Sequence, residues 1–449
     1  MRDLIVMLGS LSLLPLPFMY PVIGVYIWTW FSLMNPHRMA YTYAADIPYN
    51  KIIAVITGLG LLMARHERIV IPKGKLFFLL VIFFVWTLVS TIFAEWPEYS
   101  LGYYSAHILP LSIYLICFLL LIHDRLRIYV TLMVYCIALG WHAFKTAIVT
   151  ILSAGYIGNF RNFGPPGTMI EDRNHFALVM VMLIPIAIYL YRHSLHQVVK
   201  YMWLGIAACA FIAVLGSFSR GGFITLVTML IAFIMFMPFG IRIRSLIIGS
   251  LLLAVSLLFM PDTFHQRLTY MPDLFSFYKN RWDEKSVDDL SFRQRTMVWG
   301  MVRKMVESSP LIGKGPRAVQ HPETAYIYYD TEHVLYGTEF YRSRAAHSVY
   351  FEVLGDSGWI GLLLFLAIAI VMMWSLRKVR KQTKDREDML WAFDLAMTLQ
   401  VSAVSYFVGG ALLSVAYLDA YFILICITIV LVRIVNDRQN ILIYSNNKY

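Results

Sequence analysis

Charge is scarce in this 449-residue chain: Asp, Glu, Lys and Arg make up 14% of it, against roughly a quarter in a soluble globular domain. A water-soluble globule is thereby excluded. Cysteine is scarcer still. The four present, Cys117, Cys136, Cys209 and Cys426, lie in separate apolar stretches, so neither a disulfide framework nor a CxxC metal site can be built from them. Signature motifs are missing too. No GxxxxGK[ST], GxSxG or HExxH occurs, which leaves ATP hydrolysis, a serine-esterase mechanism and a zincin unsupported.

What the chain has instead is apolar length. It is 59% hydrophobic, and apolar runs recur from end to end near the roughly 17–25 residues a helix needs to cross a ~30 Å hydrocarbon core. None alternates as a β-barrel strand would. The pattern predicts an all-α polytopic membrane protein with about 12 transmembrane helices. Its runs lie near 4–34, 51–64, 76–93, 108–122, 128–151, 176–191, 198–216, 221–237, 245–260, 359–375, 389–413 and 419–435. Pro15, Pro17 and Pro21 interrupt the first run, making it either one broken crossing or a re-entrant hairpin plus a crossing.

Every second connection is basic: Arg65 to Lys75, Arg125 and Arg127, Arg192 and Lys200, Arg242 and Arg244, Arg377 to Arg386. Short cytoplasmic loops accumulate Lys and Arg, so these face the cytoplasm. The connections at 35–50, 94–107, 152–175 and 216–220 then face outward, and both termini are expected inside. No cleavable signal peptide is evident. Topology therefore explains the formal charge of +11 better than nucleic-acid binding does.

One long segment is polar enough for water. Residues 261–358 hold twelve Lys or Arg and thirteen Asp or Glu, and the alternation places them outside as a cap. The chain thus divides into an N-terminal membrane region (1–170), core transmembrane helices (171–260), the outer loop (261–358) and C-terminal helices with a tail (359–449). Within the loop, Ser291 to Ser308 reads as an amphipathic helix, with Asp288, Asp289 or Ser291 as cap. Arg295, Trp299, Val302 and Val306 share one of its faces. LIGKGP at 311–316 reads as a turn, and His347, Tyr350, Phe351 and Leu354 begin a second helix that runs on into the next span.

Arg220, in GSFSRGGF, stands at the outer junction of two spans. Such an arginine snorkels to lipid headgroups or holds an anion. Gly221 and Gly222 favour the second by exposing backbone N–H groups at a helix start. Arg295 is either a solvated charge or a second anion ligand. His347 is either structural or a proton acceptor, its helix-start position disfavouring a positive charge. In EDRNHF, Asp172, Arg173, Asn174 and His175 gather at the same outer face, but their spacing is no recognised metal signature. A transporter would place charged groups near the bilayer midplane on paired repeats; Lys145 and Asp394 instead lie toward span ends. A scaffold would need none of these residues.

At these residues the chain resembles the O-antigen ligase and polymerase superfamily of bacterial envelope glycan enzymes. The resemblance rests on SRGG at a span end, on Arg295-x-x-x-Trp299 followed by PLIGKG, and on AHSVYFEVLGDSGWIGLLLFL, over roughly residues 170–435. MRDL, GVYIWTWFSLMNPHR and KIIAVITGLGLL are similar to the N-terminal region of exosortase A-associated O-glycosylation ligases. The resemblance implies an inverting glycosyltransferase that needs no metal and no other cofactor, and that takes its glycan from an undecaprenyl-diphosphate carrier on the periplasmic side of the inner membrane. Its acceptor would be a lipid A-core or protein hydroxyl. Arg220 and Arg295, with Gly221 and Gly222, match the donor-diphosphate ligands, and His347 the base. Arg173, Asn174, Ser348 and Tyr341 are further candidate contacts. Ser348 departs from the Asn common in the family, which bears on acceptor choice. Tyr326, Tyr328, Tyr329 and Tyr336 either stack on sugars or pack as an aromatic cap.

Overall fold

The computed structural model describes residues 2–40, 42–63, 67–152, 164, 165, 167–237, 290–328 and 344–446, with isolated positions between 242 and 254. The described residues form helices and connections without a β-strand, the all-α polytopic architecture expected. Most of the run at 245–260 and much of the outer loop lie outside the described residues, as do Asp288, Asp289, Tyr329, Tyr336 and Tyr341.

The first apolar run is broken where its prolines fall. Helix α1 (Arg2–Leu13) and α2 (Pro15–Met19) lead to α3 (Pro21–Met34), and both later helices carry proline in the first turn, where its missing N–H costs nothing. The next helix, α4 (Tyr49–Met63), packs on this break. A Cβ on its Gly60 would lie 2.3 Å from the Pro17 carbonyl. The Asp3 carboxylate accepts from Thr42 N–H and Oγ1 at 2.9 and 2.7 Å, beside the end of α3. The run is therefore a hairpin whose two ends meet.

Among the described residues, eight helices are long and apolar enough to cross a membrane. They are α5 (Lys75–Ile92), α6 (Pro97–Leu121), α7 (Arg125–Leu152), α8 (Arg173–His193), α9 (Gln197–Gly216) and, following α10 (Arg220–Phe236) and α11 (Leu290–Ser308), α12 (Val349–Thr383), α13 (Leu390–Gly410) and α14 (Asp419–Asn446). Three further apolar helices, Val6–Met19, Tyr49–Met63 and Arg220–Phe236, are shorter. Helices α8 and α13 are sheathed by α7, α9, α10 and α12, which leaves both mostly buried.

Basic side chains gather at one end of this bundle. Arg192 and His193 reach the buried Asp394 at 3.1 and 2.9 Å, Arg127 pairs with Glu67 at 2.5 Å, and Arg438 meets Asp388. The described parts of the connections at 35–50, 94–107 and 152–175 come together with residues 411–418 at the opposite end. Asp3 lies there too, bonded to Thr42.

The amphipathic helix is α11, with Val298, Met301, Val302 and Met305 buried against α12. The LIGKGP turn is more than a connection. Helix α12 is interrupted at Gly358 (φ 65°), which frees carbonyls just before the break. Lys314 and Gly315 donate to the carbonyls of Gly355 and Asp356 at 2.9 and 3.0 Å, and Trp359 donates to Pro310 O at 2.9 Å. Helix α5 seals the joint: Ser90 Oγ donates to Ile312 O at 2.9 Å and Trp86 Nε1 to Ser357 O at 2.9 Å. The turn latches the loop to the head of α12, where His347 stands.

Candidate functional site

The site is built around His347. Its backbone is left-handed (φ 48°), a conformation that is uncommon outside glycine and needs support from its surroundings. Two hydrogen bonds supply that support: His347 N–H donates to Ser414 Oγ at 2.8 Å, and Trp299 Nε1 donates to the Ala346 carbonyl at 2.8 Å. The Trp299 ring also lies flat on Phe351, with centroids 5.0 Å apart. A residue from α11, one from α12 and one from the α13–α14 connection thus hold the backbone at His347.

Burial holds that imidazole at a pKa of about 4, down from 6.5, with Arg295 as the next cause, then His175, and Arg344 last. Asp172 opposes them. The ring is neutral at ordinary pH, as expected from the sequence. Desolvation lowers its pKa most, followed by the charges of Arg295, His175 and Arg344.

Two helix starts meet beside this group. Asp172 caps α8 by accepting from Asn174 N–H at 2.7 Å and His175 N–H at 3.4 Å. Ser219 caps α10, accepting from Gly222 N–H at 3.0 Å and donating to Asn174 Oδ1 at 2.6 Å. The Ser219–Asn174 bond joins the two starts, so Arg220 enters α10 one residue from Asn174's partner and Arg173 opens α8. The role expected for Gly222 changes. Its N–H is occupied by Ser219, and a Cβ there would lie 2.6 Å from Ala177 Cβ, so this glycine lets α8 and α10 touch. Gly221 has open space around it, with only Ser219 Oγ near, at 3.8 Å.

Arg295, His347, Asp172 and His175 are brought into one electrostatic neighbourhood, and Arg220 stands at the same end of the bundle. Ser348 is a buried cap residue, 2% exposed. Of the tyrosines, Tyr328 hydrogen-bonds Glu95 at 2.9 Å and Tyr326 is exposed. Asp172 is occupied as a cap and His175 Nδ1 lies 2.8 Å from Met169 O. Among the described residues no three His, Cys, Asp or Glu side chains group as metal ligands.

Sequence reading missed Ser414, Arg344 and Arg317. Arg317 follows the latch in a left-handed turn (φ 63°), its guanidinium 4.6 Å from the Tyr103 ring and within electrostatic reach of His175. Its N–H donates to Asp356 Oδ1 at 3.0 Å, while Ala416 N–H donates to Glu352 Oε2 at 2.8 Å. These two buried carboxylates tie the latch and the Ser414 segment to α12. The signal was present in GKGPR and in HSVYFEVLGD, where Glu352 and Asp356 stand one turn apart on an otherwise apolar helix start.

Residues 205–366 match the family described as O-Antigen ligase. Residues 1–195 match a family of unknown function (DUF5935). No curated protein matches the chain. The matched region runs from α9 into α12 and contains SRGG, α11, the latch and His347, so that part of the chain is similar to the O-antigen ligase family.

Proposed function

We propose that this protein is an inverting glycan ligase, transferring a glycan from an undecaprenyl-diphosphate carrier to a lipid A-core or protein hydroxyl at the periplasmic face of the inner membrane. The observation that carries the reading is a neutral, half-buried imidazole within electrostatic reach of Arg295 and Arg344, at the end of the bundle opposite the basic loops. The acceptor oxygen attacks the anomeric carbon, the bond from that carbon to the diphosphate breaks, and the electron pair leaves on the diphosphate. His347 takes the acceptor's proton. Arg220 and Arg295 stabilise the charge that grows on the leaving group, a task suited to planar, bidentate guanidinium groups.

A base held at about 4 is weak, yet Arg295, which depresses it next after burial, is one of the two groups a diphosphate would neutralise. Donor binding therefore raises the basicity of His347 when a proton must be taken. The experiment is transfer from purified lipid-linked glycan to acceptor by the full chain in lipid nanodiscs, with His347→Ala compared; undiminished transfer by the variant refutes the assignment. A polymerase adding lipid-linked repeats would use the same groups. The N-terminal similarity favours the ligase. Accumulation of long lipid-linked polymer in a deletion strain, instead of single repeats, separates the two.

A further inference from the structure

The N-terminal region holds a cavity of about 380 Å³, within the roughly 300–1,000 Å³ of small-molecule sites. It opens between α3, the start of α4, α6, the strip before α8 and the head of α14, and so lies at the same end of the bundle as His347. Two contacts join it to the site. Met169 lines it while its carbonyl meets His175 Nδ1 at 2.8 Å. His107 lines it too, stacked 4.6 Å from Tyr103, the ring that carries Arg317.

The lining has a distinct chemistry. Trp28 and Tyr114 offer aromatic faces, edge to face at 5.3 Å. Arg38 and Lys51 are opposed by Asp46 and Asp419, so the walls carry no net excess of cations. Buried His37 Nδ1 and Asn50 Oδ1 have no hydrogen-bond partner within the protein, and burial without a partner is unfavourable. Balanced charge argues against a diphosphate, which needs unopposed cations. Aromatic faces with unsatisfied hydrogen-bonding groups suit an uncharged, hydroxyl-rich ring.

We infer that this cavity is a saccharide subsite, holding sugar units next to the bond being made and giving the region of unknown function a share in substrate recognition. The inference rests on the glycan-transfer reading above. Donor glycan and acceptor glycan share this chemistry, and the test separates them.

Two variants leave the fold's own contacts in place. Asn50→Ala removes an oxygen that bonds nothing in the protein. His37→Phe keeps the ring against Phe31 and Tyr49, now 6.1 and 5.5 Å away. Calorimetry on the full chain in nanodiscs uses two probes: the free glycan released from its polyprenyl carrier by mild acid, and the lipid-free core oligosaccharide of the same cells. Wild type is expected to bind one of them, and each variant to bind it about tenfold more weakly, as loss of one or two hydrogen bonds to a buried ligand implies. A matching rise in KM for the lipid-linked donor assigns the donor glycan; a rise for the acceptor assigns the acceptor. Binding of neither probe by wild type, or equal binding by wild type and both variants, overturns the subsite. Variant-sensitive binding in a protein that transfers nothing would keep the subsite and refute the transfer reading.

Discussion

The amide of His347 donates to Ser414 Oγ at 2.8 Å, a contact between residues 67 positions apart that holds the proposed base in a left-handed conformation. Removing it frees a backbone that has little intrinsic reason to stay there. Ser414→Ala is expected to lower kcat about tenfold, the equivalent of one buried hydrogen bond, with the donor KM nearly unchanged. Ser414→Thr, which keeps the hydroxyl, should recover most of the rate. Steady-state kinetics with lipid-linked donor checks both, and an unchanged kcat in the alanine variant would show that the bond does not position the ring.

Replacing the imidazole itself has a larger effect. A general base contributes typically 10²–10⁴-fold, so His347→Ala should lose on the order of 10³ in kcat. Asn is among the residues that best tolerate positive φ, so His347→Asn keeps the backbone while removing the base. It should lose as much activity as alanine yet unfold at the wild-type temperature. Activity and thermal unfolding measured together distinguish a chemical role from a structural one.

The pH dependence follows from the ring's burial. In the free enzyme His347 titrates at about 4 instead of 6.5, so kcat/KM should hold level down through pH 6 and fall only near pH 4. With donor bound, the diphosphate offsets the charge of Arg295, and the acid limb of kcat should lie at higher pH. For stability the sign is fixed by linkage: the unfolded chain binds this proton more readily, so the contribution is complete above about 6.5 and is lost as pH falls toward about 4. A single limb at 6.5 in both profiles would contradict the buried base.

Lysine cannot copy a bidentate guanidinium grip. Arg220→Lys and Arg295→Lys should each reduce kcat/KM for the donor at least tenfold, a difference of about 1.4 kcal/mol. Arg295→Lys keeps a positive charge near His347, so its acid limb should stay low, whereas Arg295→Gln should let the limb rise. Wild-type kcat/KM in both lysine variants would remove the arginines from the donor site.

Membrane character, the amphipathic helix and the His347 helix were legible because each rests on a local period: apolar length for the spans, 3.6-residue spacing for α11. The break in the first run was legible in Pro15 and Pro21 for the same reason. The direction of that hairpin was not, since it depends on Asp3 meeting Thr42. Likewise Arg220, Arg295 and His347 stood out by residue type beside membrane helices, whereas Ser414 looked like any polar residue between spans. Its importance comes from a single long-range hydrogen bond. Gly222 was read as an anion ligand because a glycine at a helix start permits that, but the 2.6 Å approach to Ala177 is a packing fact that no local pattern carries.

Two glycines in the outer region should respond oppositely to the same substitution. At Gly300, on the exposed side of α11, an added Cβ meets nothing within 4 Å, and alanine in a helix interior is favoured over glycine by roughly 0.5–1 kcal/mol. Gly300→Ala should therefore raise the unfolding temperature slightly. At Gly358 the backbone is left-handed (φ 65°), and a Cβ would lie 2.4 Å from the Leu311 carbonyl and 2.7 Å from Gly313 N. The three nearest atoms are all backbone, so no side chain can swing aside. Gly358→Ala should cost about 2–4 kcal/mol through strain and clash together. It should also speed hydrogen exchange at the Lys314 and Gly315 amides, whose acceptors are the carbonyls of Gly355 and Asp356. Because the latch positions the head of α12, loss of transfer should track the faster exchange. Fast exchange with full activity would show that the latch secures the loop without setting the site.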